Sequence, residues 1–147
     1  TNDAPAAVTR LVEMGVEPFL VSSAVDCVIA QRLARKLCER CKRPVEVDEE
    51  TLSGLGLPVG RFADLKRDFH EAVGCDRCGA TGYRGRIGIY EIMIVDEEIR
   101  RLILRGVAAD AISQTAQKAG MIPLREDGLM KAALGITTVE EILLTIV

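Results

Sequence analysis

The sequence predicts a mixed α/β fold with a cysteine-stapled lobe and a helical C-terminal segment. Three observations carry this. Residues 85–95, Gly-Arg-Ile-Gly-Ile-Tyr-Glu-Ile-Met-Ile-Val, are β-branched and bounded by glycine in front and Asp96 behind, as a strand should be. Residues 96–147 divide into four short stretches of helical period, punctuated by Gly and Pro. Residues 38–82 change character: they hold two C-x-x-C pairs among turn residues.

Taken in order, residues 1–15 read as a helix. Asp3 is the cap, Pro5 suits the first turn, and Ala4, Val8, Leu11 and Val12 share a face that Gly15 ends. Pro18 restarts a short helix through about Ala24. Residues 27–37 are undecided by pattern. Ile29, Leu33 and Leu37 fit a helix, which the period slightly favours, while Ile29, Gln31, Leu33, Arg35 and Leu37 fit one strand face. Two short charged helices are expected near 48–53 and 61–72. In the C-terminal segment, Asp96 caps the first helix, with Glu97 and Glu98 in its first turn and Arg105 near its end, as the helix dipole favours. Gly106 stops it. Ile112, Thr115, Ala116 and Ala119 mark the second, which Gly120 stops. Pro123 opens the third and Gly135 closes it. Thr137-Thr138-Val139-Glu140 is a capping-box start for the fourth. The short links predict a compact antiparallel bundle.

Composition excludes several classes. Aromatics are 3% of 147 residues, so the core must be aliphatic. The net charge of −3 disfavours a dedicated nucleic-acid binder. No apolar run reaches the roughly 18 residues of a membrane span. The start at Thr1, without methionine, points to a piece of a longer protein.

The cysteines carry the chemistry. Cys38-Glu-Arg-Cys41 and Cys75-Asp-Arg-Cys78 are separated by 33 residues. A two-residue spacer lets both sulfurs of a pair face one centre, and two pairs complete the tetrahedral four-thiolate site that structural zinc prefers. No position is left for a catalytic water. Four thiolates on Zn²⁺ leave about −2 at the site, which Arg40, Lys42, Arg43 and Arg77 can offset as donors around sulfur. Redox pairs would want a βαβ context, and disulfides an oxidising compartment; the sequence offers neither. The fifth cysteine, Cys27, reads as a buried free thiol. His70 is placed on a polar helix as a surface or supporting residue.

Other chemistry is missing. No G-x-x-x-x-G-K-[ST] occurs, and Gly79-Ala-Thr-Gly82-Tyr-Arg-Gly85-Arg-Ile-Gly88 matches no nucleotide fingerprint. One histidine makes a Ser/His/Asp set untenable. The carboxylate pairs stand at helix starts, where the dipole explains them. No catalytic and no cofactor-binding residue is assigned.

The order of segments resembles one family. Its marks are Thr1-Asn2-Asp3-Ala4, then Ile29-Ala-Gln31-Arg32-Leu33-Ala-Arg35-Lys36-Leu37-Cys38, then Cys75-x-x-Cys78-Gly-Ala-Thr-Gly82-Tyr83-Arg84-Gly85-Arg86-Ile-Gly88-Ile-Tyr90-Glu91, and Gly120-Met121 before Leu124-Arg-Glu-Asp127-Gly128. These look like the C-terminal third of the type II secretion and type IV pilus assembly ATPases. The resemblance implies the end of a RecA-like P-loop ATPase domain, with residues 27–37 as a strand beside 85–95. It divides the chain into 1–37 (motor domain), 38–82 (zinc lobe), 83–95 (returning strand) and 96–147 (helical domain). It carries over Cys38, Cys41, Cys75 and Cys78 as zinc ligands. It implies a parent that hydrolyses ATP with Mg²⁺, forms a homo-hexameric ring and lies in the cytoplasm at the inner face of the cell membrane. There it would contact neighbouring subunits and the inner-membrane assembly platform, with no nucleic acid and no span of its own. The Walker motifs would lie upstream, so this chain alone should be inactive. The alternative from a different class is a freestanding zinc-ribbon adaptor binding protein or nucleic acid.

Overall fold

The computed structural model describes residues 1–56 and 67–146. Their elements are α1 (Ala4–Glu13), α2 (Pro18–Ala24), β1 (Cys27–Leu37), β2 (Arg43–Pro44), α3 (Glu49–Gly54), β3 (His70–Glu71), a 3-10 turn (Asp76–Cys78), β4 (Tyr83–Ile94), α4 (Glu97–Arg105), α5 (Ala109–Lys118), α6 (Leu124–Ala133) and α7 (Val139–Thr145). β1 pairs with β4 and β2 with β3. Bonds at the two ends of the long pair, Val95 N–H to Asp26 O and Cys38 N–H to Gly82 O, both 2.9 Å, fix its antiparallel sense. Residues 27–37 are thus a strand. The partner strand, not the local period, decided between the two patterns.

The chain forms two compact units, Thr1–Gln31 with Tyr90–Leu124, and Arg32–Ile89 with Arg125–Val147. The four C-terminal helices, expected as one bundle, divide between them: α4 and α5 fall in the first unit, and α6 beyond Leu124 and all of α7 in the second.

The first unit buries Ala4, Val8, Val21, Met93, Val95, Ile99, Ile103, Ile112, Ala116 and Met121 as one aliphatic core. α1 starts with its donors accounted for. Ala6 N–H donates to Asp3 Oδ1 at 2.8 Å, Pro5 has none to give, and Ala4 N–H donates to Glu91 Oε1 at 2.7 Å. The other oxygen of Glu91 accepts from Leu124 N–H, the first residue of α6, at 3.1 Å. One buried carboxylate therefore serves two helix starts. The Arg100 guanidinium bonds the Ser22 carbonyl and, at 2.9 Å, Asp26 Oδ1. Asp96 Oδ1 caps α4 through Ile99 N–H at 2.9 Å, and Gly106 ends it in the left-handed region at φ 67°.

Alternation along the long strands gives one buried and one open face. Ile89, Glu91 and Met93 of β4 point inward. Ile29 (61% exposed), Ile92 (49%) and Ile94 (62%) point out. Cys27 shares that outward parity and is exposed, which corrects its placement as a buried thiol.

In the second unit, Ala34, Leu37, Ile89, Leu129, Ala132 and Ile142 are buried. Arg35 and Glu141 meet through Nη2 and Oε2 at 2.7 Å, and the Arg35 N–H donates to Glu141 Oε1 at 3.0 Å. The guanidinium lies 4.2 Å from the centre of the Tyr83 ring. The cap of α7 is Thr138, whose hydroxyl accepts from Glu141 N–H at 3.0 Å. The expected start one residue earlier fails because the Thr137 hydroxyl donates instead to the Arg35 carbonyl at 2.8 Å. Among the described residues no helix is long and apolar enough to cross a membrane.

Candidate metal centre

Each half of the site is positioned by a turn that follows from its sequence. Cys38 is the residue after β1. The Cys41 and Lys42 N–H groups fold back to its carbonyl at 3.3 and 3.0 Å, so Cys38 and Cys41 face the same side. Asp76–Cys78 winds into a 3-10 turn with Cys75 as its N-terminal cap. Cys38 N–H to Gly82 O, at 2.9 Å, joins the first turn to the residue that opens β4.

The four sulfurs of Cys38, Cys41, Cys75 and Cys78 lie within 4.8 Å of one another. Three of their separations are 3.8 Å (Cys38–Cys75), 3.9 Å (Cys41–Cys78) and 3.8 Å (Cys75–Cys78). A tetrahedron with metal–sulfur bonds of about 2.3 Å has edges of about 3.8 Å. The spacing therefore fits a four-thiolate metal site. It does not fit disulfides, whose sulfurs would stand about 2.05 Å apart, and all five cysteines are free. The residues predicted as ligands from C-x-x-C spacing are the ones the fold brings together.

The groups around sulfur differ from expectation. Backbone N–H groups are the donors: Gly74 to Cys41 Sγ at 3.3 Å, and Cys75 and Gly82 to Cys78 Sγ at 3.2 Å each. Cys78 N–H returns a bond to the Cys75 side chain. Three of the four basic residues are paired elsewhere. Arg40 pairs with Asp76 at 3.3 Å, Lys42 with Glu39 at 3.0 Å, and Arg43 with Glu71. Backbone N–H groups reach sulfur because the turns aim them inward. Gly74 and Gly82 must be glycine. Both have positive φ, +116° and +81°. A Cβ at Gly74 would stand 2.7 Å from the Ala80 carbonyl oxygen, and one at Gly82 would stand 2.6 Å from Ala72 Cβ.

The donors tune the metal-free thiols. Burial pushes Cys78 up, but the Cys75 and Gly82 N–H groups outweigh it and bring the thiol down to about 6. Burial dominates at Cys41 and pushes it up to about 11. At Cys38 burial also opposes ionisation, and the N–H groups of Arg40 and Cys41 prevail to lower its value. A metal must displace the remaining protons to bind.

His70 lies outside the sulfur cluster. It sits in β3, not on a helix, and its Nδ1 meets the Asp68 carbonyl at 2.8 Å. Half of the predicted helix near 61–72 lies outside the described residues; the described half, 67–72, is not helical, because His70 and Glu71 pair with β2 instead. Glu91 stands among the residues that carry the resemblance, but its role was not legible there, because it depends on two helix starts 87 and 33 residues away. Its carboxyl is raised above the ordinary range by burial, against the pull of the Ala4 and Leu124 N–H groups, with Asp3 adding to the rise.

Four converging sulfurs at the mouth of an antiparallel strand pair define a mixed α/β protein with a cysteine cluster that could hold a metal ion. The chain belongs to the family described as type II/IV secretion system protein, whose model matches residues 1–144. It is 51% identical over 143 residues to a type IV pilus assembly ATPase, PilB, of Thermus thermophilus, covering 97% of this chain and 16% of that protein. It is 45% identical over 143 residues to PilB of Myxococcus xanthus, covering 97% and 25%. It is 44% identical over 143 residues to type II secretion system protein E of Pseudomonas aeruginosa, covering 97% and 28%. The chain thus spans a sixth to little more than a quarter of the length of these relatives.

Proposed function

We propose that this chain is the C-terminal, zinc-carrying part of an ATPase that powers type IV pilus assembly or type II protein secretion. The sulfur tetrahedron carries the reading, within a chain that matches the family almost end to end. Relatives named as pilus assembly ATPases and secretion proteins supply the parent activity. Residues 1–37 and 83–95 are read as the end of a RecA-like motor domain, 38–82 as an inserted zinc lobe and 96–147 as the helical domain. The open face of β1 and β4, with Ile29, Ile92 and Ile94 exposed, supports that division, since a larger sheet domain has further layers to cover it.

The metal is Zn²⁺ and its role is structural. Four protein thiolates leave no open position for water or substrate. Cys38, Cys41, Cys75 and Cys78 would hold it, with the Gly74, Cys75 and Gly82 N–H groups easing the charge on sulfur. The bound ion supplies folding free energy to the lobe, of the order of 10–16 kcal/mol. ATP, Mg²⁺ and the Walker groups belong to the parent enzyme, as do the homo-hexameric ring, the place at the inner face of the cell membrane and the contact with membrane-embedded assembly proteins. No residue of this chain is assigned to nucleotide or to catalysis.

Native mass spectrometry and an ATPase assay test this together. The expected result is one zinc per chain and no ATP turnover. A metal-free folded chain would overturn the zinc assignment, and turnover by this chain would overturn the division of labour. In cells, charge reversal at Arg40 and Arg77 should impair pilus or secretion output if the lobe touches the assembly platform, and unchanged output would remove that role.

A further inference from the structure

At the link between α6 and α7, three carbonyls and two hydroxyls bond groups from elsewhere in the same unit. Ala133 C=O accepts from Asp68 N–H at 2.8 Å, and Ile136 C=O accepts from Leu37 N–H at 2.8 Å. Gly135 C=O accepts from Lys42 Nζ at 3.0 Å. Thr137 donates to the Arg35 carbonyl at 2.8 Å, and the Thr138 hydroxyl meets the Tyr83 hydroxyl at 2.8 Å. Three of these five partners border a cysteine, or a donor to one, in sequence. Leu37 precedes Cys38, Lys42 follows Cys41, and Tyr83 follows Gly82, whose N–H bonds Cys78 Sγ.

The carbonyls of Met130, Lys131 and Ala132, in the last turn of α6, accept from the N–H groups of Leu134, Ile136 and Gly135 as the chain leaves the helix. The next carbonyls, of Gly135 and Ile136, are bonded by Lys42 and Leu37, whose positions depend on how the first cysteine turn is held. Without metal, the two turns are joined by hydrogen bonds such as Cys38 N–H to Gly82 O and Gly74 N–H to Cys41 Sγ, which are weaker than coordinate bonds to a shared ion. With metal, Leu37, Lys42 and Tyr83 are each within one residue of a fixed ligand or its donor.

We propose that metal occupancy of the cysteine site latches the α6–α7 corner, residues 133–138, and so sets the start of α7. The inference rests on the metal assignment above and adds a regulated element to it: the start of α7 answers to the state of the cysteine site. The Lys42 ammonium and the Tyr83 hydroxyl are the positioning groups. The coupling is conformational and needs no chemical step.

Hydrogen exchange read by mass spectrometry tests this on the whole chain, zinc-loaded and chelated. Loosening the bonds from Leu37, Lys42 and Tyr83 should speed exchange of the Leu37 amide and of residues 134–146 by at least about tenfold. The peptides of α1, α4 and α5 should keep their protection. A zinc-loaded Lys42→Met variant should loosen the corner partly while retaining one zinc. Equal protection with and without metal would overturn the latch. So would a uniform loss across all helices, which would make the metal a general folding requirement. An unchanged corner in zinc-loaded Lys42→Met would remove Lys42 from the mechanism and overturn the proposal as stated. If mass spectrometry finds no bound zinc, the metal assignment itself fails, a result distinct from these.

Discussion

Removing the Glu91 carboxylate should destabilise the first unit by an amount that its two bonds define. The side chain is 4% exposed, and its oxygens accept from Ala4 N–H at 2.7 Å and Leu124 N–H at 3.1 Å. Each donor opens a helix and has no partner within it. Glu91→Ala orphans both donors, at about 1–3 kcal/mol each, and loses the packing of the stem. We expect a loss of about 3–5 kcal/mol. Glu91→Gln retains one acceptor and turns an amide N–H₂ toward the other donor. It also relieves the burial of a charge, so the expected loss at neutral pH is smaller, about 1–2 kcal/mol. The pH dependence has a definite sign. The folded-state pKa of Glu91 is raised, chiefly by burial, so its titration contributes stability that is fully present below the unfolded carboxyl value. That contribution is lost as pH rises through the folded value. The gap between parent and Glu91→Gln should therefore narrow from pH 4 to pH 7. Urea unfolding followed by circular dichroism measures all three proteins, since the chain has no tryptophan. A Glu91→Ala midpoint equivalent to less than about 0.5 kcal/mol of change would refute the reasoning.

Glu141 should behave oppositely. The Arg35 side chain, hydrogen-bonded to it, holds its carboxyl below the usual range despite some burial. Its contribution is present above the unfolded carboxyl pKa and is lost as pH falls through the folded value. Arg35 is half exposed, so Glu141→Gln should cost only about 1 kcal/mol at pH 7, and the difference should fade in acid. A pH-independent difference would count against the pair. Gly82→Ala should weaken zinc binding about 10- to 100-fold, because the new Cβ meets Ala72 and disturbs the N–H to Cys78. Competition with a chromophoric chelator measures it, and an unchanged affinity would show that the turn can relax. Zinc affinity itself should fall at least about tenfold per pH unit between 7 and 6, since Cys41, at about 11 when free, must release its proton. A flat profile would exclude it as a thiolate ligand.

Much of the site was legible because its rules are local. Cys38, Cys41, Cys75 and Cys78 announced themselves by spacing, since two intervening residues place two sulfurs on one side of a turn. Asp3, Asp96 and Gly106 marked helix ends for the same kind of reason. Other features escaped because they depend on distant partners. Thr137 and Thr138 are locally equivalent caps, and Arg35, 102 residues from Thr137, breaks the tie. Cys27 looked buried by its neighbours and is exposed by strand parity. The basic residues beside the cysteines looked like donors to sulfur, yet the backbone supplies those bonds.

By itself the sequence determined which four cysteines converge, the caps of α1 and α4 and the resemblance to secretion and pilus ATPases, all carried by residues a few positions apart. The local pattern left 27–37 open and the resemblance implied the strand, which its pairing with β4 bears out. Only the tertiary structure decided that Glu91 holds two helix starts and that the α6–α7 corner is bonded to the flanks of the cysteine turns. Those features satisfy buried N–H and C=O groups across long stretches of chain. Which distant group meets an orphaned donor or acceptor is settled when the chain closes on itself.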